Sequence, residues 1–326
     1  MRTLLAIWIL CLSSQFAHAA GIRFVTIPAD TSGPALKAAI WTPCADPAQD
    51  LTIGPYVLHG RRDCPTAGNH LPLVVISHGH GGSYFGHHDL AETLADAGFV
   101  VAAINHPGDT FSDMSRAAEL LEFIERPIDI KRLIDYMVST APEADRIDAS
   151  RIGFFGFSRG GYTGLALAGG NPDFVHANVP CDDNYPICKE LHQSNLPPVT
   201  VVHDARIKAY VLADPLNEFP ERSDLKHVQV PIQLWASQYG GDGVLPETSP
   251  ALADALPQRP EFHVVPQAAH FAFLAPCSPS LKQSAPEICD DAQGFDRTEF
   301  HHQFDQMALR FFNKSLGSQQ TAKANP

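Results

Sequence analysis

Gly156-Phe157-Ser158-Arg159-Gly160-Gly161 stands between an apolar run, Arg151-Ile152-Gly153-Phe154-Phe155, and a small-residue helical pattern, Tyr162-Thr163-Gly164-Leu165-Ala166-Leu167-Ala168-Gly169. The first flank reads as a buried strand and the second as a helix. A serine within Gly-x-Ser-x-Gly on a strand-to-helix turn is a nucleophile elbow. Such a turn is so tight that side chains two positions either side of the serine would collide with neighbouring backbone. Glycine meets that need, and Ser158 is pushed into a strained conformation with its hydroxyl facing a pocket. A glycine-rich turn that merely contains serine would require neither the strand before it nor the helix after it.

Outward from this turn, strand-like and helix-like segments alternate. Leu73–Ser77 and Phe99–Ile104 are continuous apolar runs, and Asp89–Ala97 between them carries Leu90, Leu94 and Ala97 at helical spacing. A longer amphipathic helix places Ile128, Leu133, Ile134, Met137 and Val138 on one face. Downstream, Ile207–Leu212, Ile232–Trp235 and Phe262–Val265 read as strands, and Phe300–Phe312 as a closing helix. Ile22–Ile27 and Leu36–Trp41 predict an opening hairpin of edge strands about Thr31-Ser32-Gly33-Pro34. Residues 42–70 read as an elaborated loop with one strand near Tyr56–Leu58. Strands separated by helices predict an α/β fold, a mainly parallel sheet covered on both faces. Residues 171–205, rich in Pro, Asn and Asp, break the alternation. They predict a small cap or excursion, with a plain surface loop as the alternative.

The chain has 326 residues, 44% hydrophobic and 18% charged, which is ample apolar material for a large core. One domain is expected over 20–316, followed by a disordered tail at 317–326. A formal net charge of −13 argues against a nucleic-acid partner. At the N-terminus, Arg2, the short apolar stretch Leu4–Leu12 and Ala17-His18-Ala19 have the form of a cleaved signal peptide over 1–19. The stretch is too short for a stable membrane anchor. Export to the periplasm or beyond is therefore expected, with oligomeric state left open. It also changes how the cysteines read: Cys44, Cys64, Cys181, Cys188, Cys277 and Cys289 remain after Cys11 is removed. Six cysteines permit fifteen pairings, and their sequential clustering makes Cys44–Cys64, Cys181–Cys188 and Cys277–Cys289 the simplest.

A serine hydroxyl needs a base, and the base needs an orienting acid. After an elbow of this kind the chain order is serine, acid, histidine. His270 lies on a short loop after the last strand and is the expected base. Among 16 histidines its position removes most competitors. Two aspartates follow strands and suit the acid. Asp242, in Gly240-Gly241-Asp242-Gly243, is favoured, and Asp214, in Leu212-Ala213-Asp214-Pro215, is the rival; either is also an ordinary turn residue. The backbone N–H groups of His80 and Arg159 are the expected oxyanion donors. His78, His80, His87 and His88 cluster in sequence, but without an evident carboxylate geometry no metal is expected, and no organic cofactor either.

The combination Val74-Val75-Ile76-Ser77-His78-Gly79-His80-Gly81-Gly82, Asp89-Leu90-Ala91, Phe99–Asp109 with its Asn105-His106-Pro107-Gly108-Asp109 end, and the Gly-Phe-Ser-Arg-Gly-Gly elbow resembles the bacterial predicted dienelactone-hydrolase family. That family is itself similar to platelet-activating-factor acetylhydrolases. The resemblance spans residues 70–315 and implies the α/β-hydrolase fold and serine-dependent hydrolysis of small-molecule or lipid carboxylic esters. True dienelactone hydrolases use a cysteine nucleophile, so lactone substrates do not carry over to Ser158. The acid in the acetylhydrolase branch corresponds to Asp214, and in the dienelactone branch to Asp242. The alternatives in function are a non-catalytic binding protein on the same fold, an acyltransferase and a peptidase.

Overall fold

The computed structural model describes residues 19–177, 189 and 201–317. Residues 1–18 of the expected leader (1–19), the Cys181–Cys188 pair, most of the excursion at 171–205 and residues 318–326 of the expected tail (317–326) lie outside the described residues, whereas Ala19 already belongs to the first strand. Ten strands form one sheet: β1 Ala19–Ile27, β2 Leu36–Cys44, β3 Gln49–Ile53, β4 Tyr56–Arg62, β5 Leu71–Ser77, β6 Val100–Asn105, β7 Ile147–Phe157, β8 Ile207–Ala213, β9 Ile232–Ser237 and β10 Glu261–Val265. Their spatial order is β10-β9-β8-β7-β5-β6-β2-β1-β4-β3. The strands from β6 through β10 pair in parallel, and β2 joins β6 antiparallel.

The opening hairpin of β1 and β2 is present, but it is not at the edge, because β4 and β3 extend the sheet beyond it. Residues 42–70 are thus a second hairpin and not a loop with one strand. Its Leu51 and Ile53 alternate with Asp50 and Thr52, a period-2 pattern hidden by the surrounding Pro and Gly. The Cys44–Cys64 disulfide links the end of β2 to the segment just after β4, and Cys277–Cys289 closes a loop late in the chain.

The central strands are apolar throughout because both faces are buried. Successive residues go to opposite sides: Leu73, Val75, Ile152 and Phe154 join one core, Val74, Ile76, Phe155 and Phe157 the other. Helices α2 (Leu120–Ser139) and α3 (Arg159–Leu167) cover the first face. Helix α1 (His88–Asp96) covers the second, together with the closing helix Arg297–Leu316, which is α5 once a short α4 at Thr248–Ala255 is numbered. Pro127 lies inside α2, where it cannot donate to the carbonyl of Phe123. The Tyr162 hydroxyl on α3 donates to that carbonyl instead, at 3.2 Å. The broken helical bond therefore ties α2 to the helix that follows the elbow.

Candidate active site

Ser158 sits between β7 and α3 with φ 55° and ψ −119°, a conformation that L-residues rarely adopt. Its flanking glycines are required by contact. A Cβ on Gly156 would lie 2.2 Å from the Gly160 carbonyl oxygen, and one on Gly160 would lie 2.0 Å from that of Ser77. The turn is anchored on the neighbouring strand by the Ser158 N–H, which donates to Ala213 at 2.9 Å, while the Ser158 carbonyl accepts from Leu216 at 3.1 Å. Ser158 is itself nearly buried.

His270 opens a short 3₁₀ turn, His270–Phe273, after β10. Its ring lies 4.6 Å, centroid to centroid, from that of Phe157, which brings the imidazole beside the elbow. Nδ1 is 3.0 Å from Asp214 Oδ2. A carboxylate can only accept, so Nδ1 carries the hydrogen and Nε2 keeps its lone pair. Nε2 is buried and has no hydrogen-bond partner among the described residues.

The structure seats Asp214, and not the favoured Asp242, against His270. Asp214 follows β8, the strand next to the elbow strand, and its carboxylate is held on both oxygens by Ser237, through the backbone N–H at 2.7 Å and through the hydroxyl. Asp242 is exposed in the glycine turn after β9. That turn serves His270 through its backbone: the Gly240 carbonyl accepts the His270 N–H at 2.9 Å. Gly241 lacks a Cβ where one would come within 3.2 Å of the His270 Cβ. Of the glycines around Asp242, Gly241 is the one whose missing side chain lets the histidine approach.

Arg159 is the first residue of α3, where N–H groups have no intrahelical acceptor. His80 lies in the loop after β5, and Gly79 in that loop packs so close to the elbow that a Cβ would meet the Ser158 Cβ at 3.2 Å. The histidines clustered in sequence are not gathered into a metal site. His78 Nδ1 bonds the Gly79 carbonyl at 2.7 Å and His87 Nδ1 that of Phe273 at 3.1 Å. Burial pushes both rings down to about 3, so they stay neutral. His88 pairs with Glu92, and His80 lies 3.3 Å from Asp109.

Asp109 escaped the sequence reading as a site residue. One oxygen accepts from the guanidinium of Arg126 at 2.6 Å and from that of Arg159 at 2.8 Å; the other accepts the Gly81 N–H at 2.8 Å. Arg126 also donates to the His78 carbonyl. One buried carboxylate thus couples the loop after β5 to the elbow helix. The legible signal was Arg126, a charge three residues from Phe123 and four from Ile130 on an apolar face. The two arginines hold the Asp109 carboxyl far below the usual range against the opposing effect of burial. Asp109→Asn leaves two buried guanidiniums facing a neutral amide and is expected to cost about 3–5 kcal/mol in urea denaturation at pH 7. Because the native value is depressed, the stabilisation is present above about pH 4 and fades as the pH falls below it.

Glu218 has the opposite sign. It is buried near Arg159, its Oε2 has no partner among the described residues, and burial pushes it up to about 8 despite the arginine. The folded state then binds a proton that the unfolded chain has released, so stability falls as pH rises from 4.5 to about 8. Glu218→Gln is expected to flatten that decline in melting temperatures measured from pH 5 to 8.5, a window that brackets most of it.

A family described as serine aminopeptidase, S33, matches residues 68–182. Two cutinases of Thermobifida alba, est2 and est1, are 35% and 34% identical over 115 residues. That match covers 35% of this chain, and about a third of each cutinase's length (35% and 36%). A ferulic acid esterase from Streptomyces cinnamoneus superposes with a TM-score of 0.64 at 18% identity, over 96% of this chain and 94% of that one. A dienelactone hydrolase from Anabaena variabilis superposes at 0.51 and 17% identity, over 91% and 99%. A parallel sheet with a strained serine between its central strand and the next helix, found together with these likenesses, gives the chain the α/β-hydrolase fold.

Proposed function

We propose that the protein is an exported serine hydrolase of carboxylic esters, with Ser158 as nucleophile, His270 as base and Asp214 as orienting acid. The observation that carries this reading is His270, fixed by Asp214 on one nitrogen and presenting the other, buried and unpartnered, beside the elbow. Ser158 Oγ attacks the ester carbonyl as Nε2 takes its proton. The N–H groups of His80 and Arg159 stabilise the oxyanion. The imidazolium returns the proton to the departing alcohol, and water, deprotonated by the same nitrogen, releases the acid. No step uses a metal or an organic cofactor.

An apolar cavity of about 180 Å³ adjoins the loop after His80, walled by Gly81, Gly82, Tyr56, Phe111, Leu274 and Ile288. It supports an ester with an apolar acyl or aryl part. Two disulfides support export, since such bonds persist in oxidising compartments. No helix among the described residues is long and apolar enough to cross a membrane.

The family description favours a second reading, an aminopeptidase. A panel of p-nitrophenyl esters from acetate to palmitate, run beside aminoacyl p-nitroanilides, separates the two. Ester turnover that exceeds anilide turnover by at least about a hundredfold in kcat/KM, about 2.7 kcal/mol of transition-state discrimination, is expected. Preferential anilide cleavage would favour the peptidase, and turnover of neither would favour a binding protein.

A further inference from the structure

We propose that Asp89, His301 and Asp305 form a binding site for a divalent transition-metal ion that ties α1 to α5, separate from the proposed ester-cleaving centre. His301 and Asp305 are four residues apart on α5 and share a face, and Asp89 meets them from the first turn of α1. One ligand atom from each of the three lies within 4.8 Å of the others. The other such grouping among the described residues, Cys44, Asp46 and Cys64, has both sulfurs in a disulfide.

The ring of His301 is already oriented as a metal ligand. Its Nε2 donates to the Ala272 carbonyl at 2.9 Å and its Nδ1 to Asp89 at 2.5 Å, so an incoming ion would take the place of the Nδ1 hydrogen between the ring and the carboxylate. A backbone carbonyl on the far nitrogen is the usual support for a ligating histidine. Asp305 is only 6% exposed, and its Oδ1 is buried without a partner among the described residues; Asp89 Oδ1 is in the same position. Thr93 reaches only the other oxygen of Asp305, at 3.5 Å. These groups wall a cavity of about 250 Å³ together with Glu92 and His302. The two carboxylates are crowded with the imidazole so that one donor atom from each lies within 4.8 Å of the others, a set that suits a divalent cation.

One imidazole with two carboxylates suits Zn²⁺ or Mn²⁺ better than Ca²⁺ or Mg²⁺, which favour all-oxygen sites. Ligands about 2.0–2.2 Å from a tetrahedral ion stand about 3.3 Å apart, so His301 and Asp89 need open by less than about 1 Å. The role is structural. The ion would brace the turn His270–Phe273 through Ala272 and would touch no reacting atom.

The test uses chelator-stripped full-length protein, titrated with Zn²⁺ by calorimetry and followed by thermal melting. One Zn²⁺ per chain is expected, with a melting temperature raised by about 5 °C when free Zn²⁺ is about a hundred times its Kd. Asp305→Asn should weaken binding at least about tenfold, a loss of about 1.4 kcal/mol, and remove the shift. Stripped Asp305→Asn should melt no lower than stripped wild type, because the change relieves the crowding; a merely structural carboxylate would lower it. Asp89→Asn provides a second variant should the first fold poorly. Wild type that fails to bind Zn²⁺, a shift retained in both variants, or a response to Ca²⁺ alone would overturn the proposal.

Discussion

Asp214→Asn lowers kcat on a p-nitrophenyl ester by about four orders of magnitude, the loss seen when the acid of a comparable triad becomes an amide, whereas Asp242→Asn stays within a few-fold of wild type. The amide in place of Asp214 can present N–H to His270, which then turns its lone pair toward it and its hydrogen toward the serine. The imidazole is held in the wrong tautomer and cannot take a proton from Ser158. Ser237, which donates to both oxygens of Asp214, adds to the misfit because its hydroxyl would meet an NH₂ group. Asp242 contributes no such contact to His270, whose main chain is held by the carbonyl of Gly240. Steady-state rates of the two variants decide the matter. Equal losses, or a greater one at Asp242, would show that the exposed turn moves onto the histidine in the working enzyme.

Ser158→Ala removes the proposed nucleophile and is expected to lower kcat by about 10⁶. It also abolishes labelling by a fluorophosphonate, which reacts covalently with an activated serine. The melting temperature should change little. Alanine at φ 55° retains the backbone strain of the elbow, so the substitution leaves the turn as it was. Unlabelled wild type would sink the serine-hydrolase reading, and labelled Ser158→Ala would sink the assignment of the serine. Paired with Asp214→Asn, the experiment separates chemistry from positioning. The serine variant should lose label outright, while the aspartate variant should label slowly, in proportion to its lost base catalysis.

The elbow was legible in sequence because its constraints are local. Gly156 and Gly160 are fixed by contacts with backbone at the turn and on the adjoining strand, and a strand before with a helix after is visible as a change of period. His270 was legible from its place after the last strand. The hairpin of β3 and β4 was not, because Gly54 and the prolines around it resemble loop composition while its alternation is short. Asp109 stood inside a quoted motif without a role, since nothing local reveals that two arginines, one on α2 and one on α3, converge on it. The choice between Asp214 and Asp242 was likewise beyond the chain itself. Both aspartates follow strands, both have positive φ, and both lie near glycine or proline.

By itself, then, the sequence determined the alternation of strand and helix and the strained serine, properties carried by neighbours along the chain. Only the tertiary structure decided which carboxylate stands behind His270, because Asp214 lies 56 residues away and reaches it across β8 and β9. It likewise decided that Asp89, His301 and Asp305 meet. Contacts between residues so far apart depend on how helices and strands pack in space, and a local pattern of residues does not encode that distance.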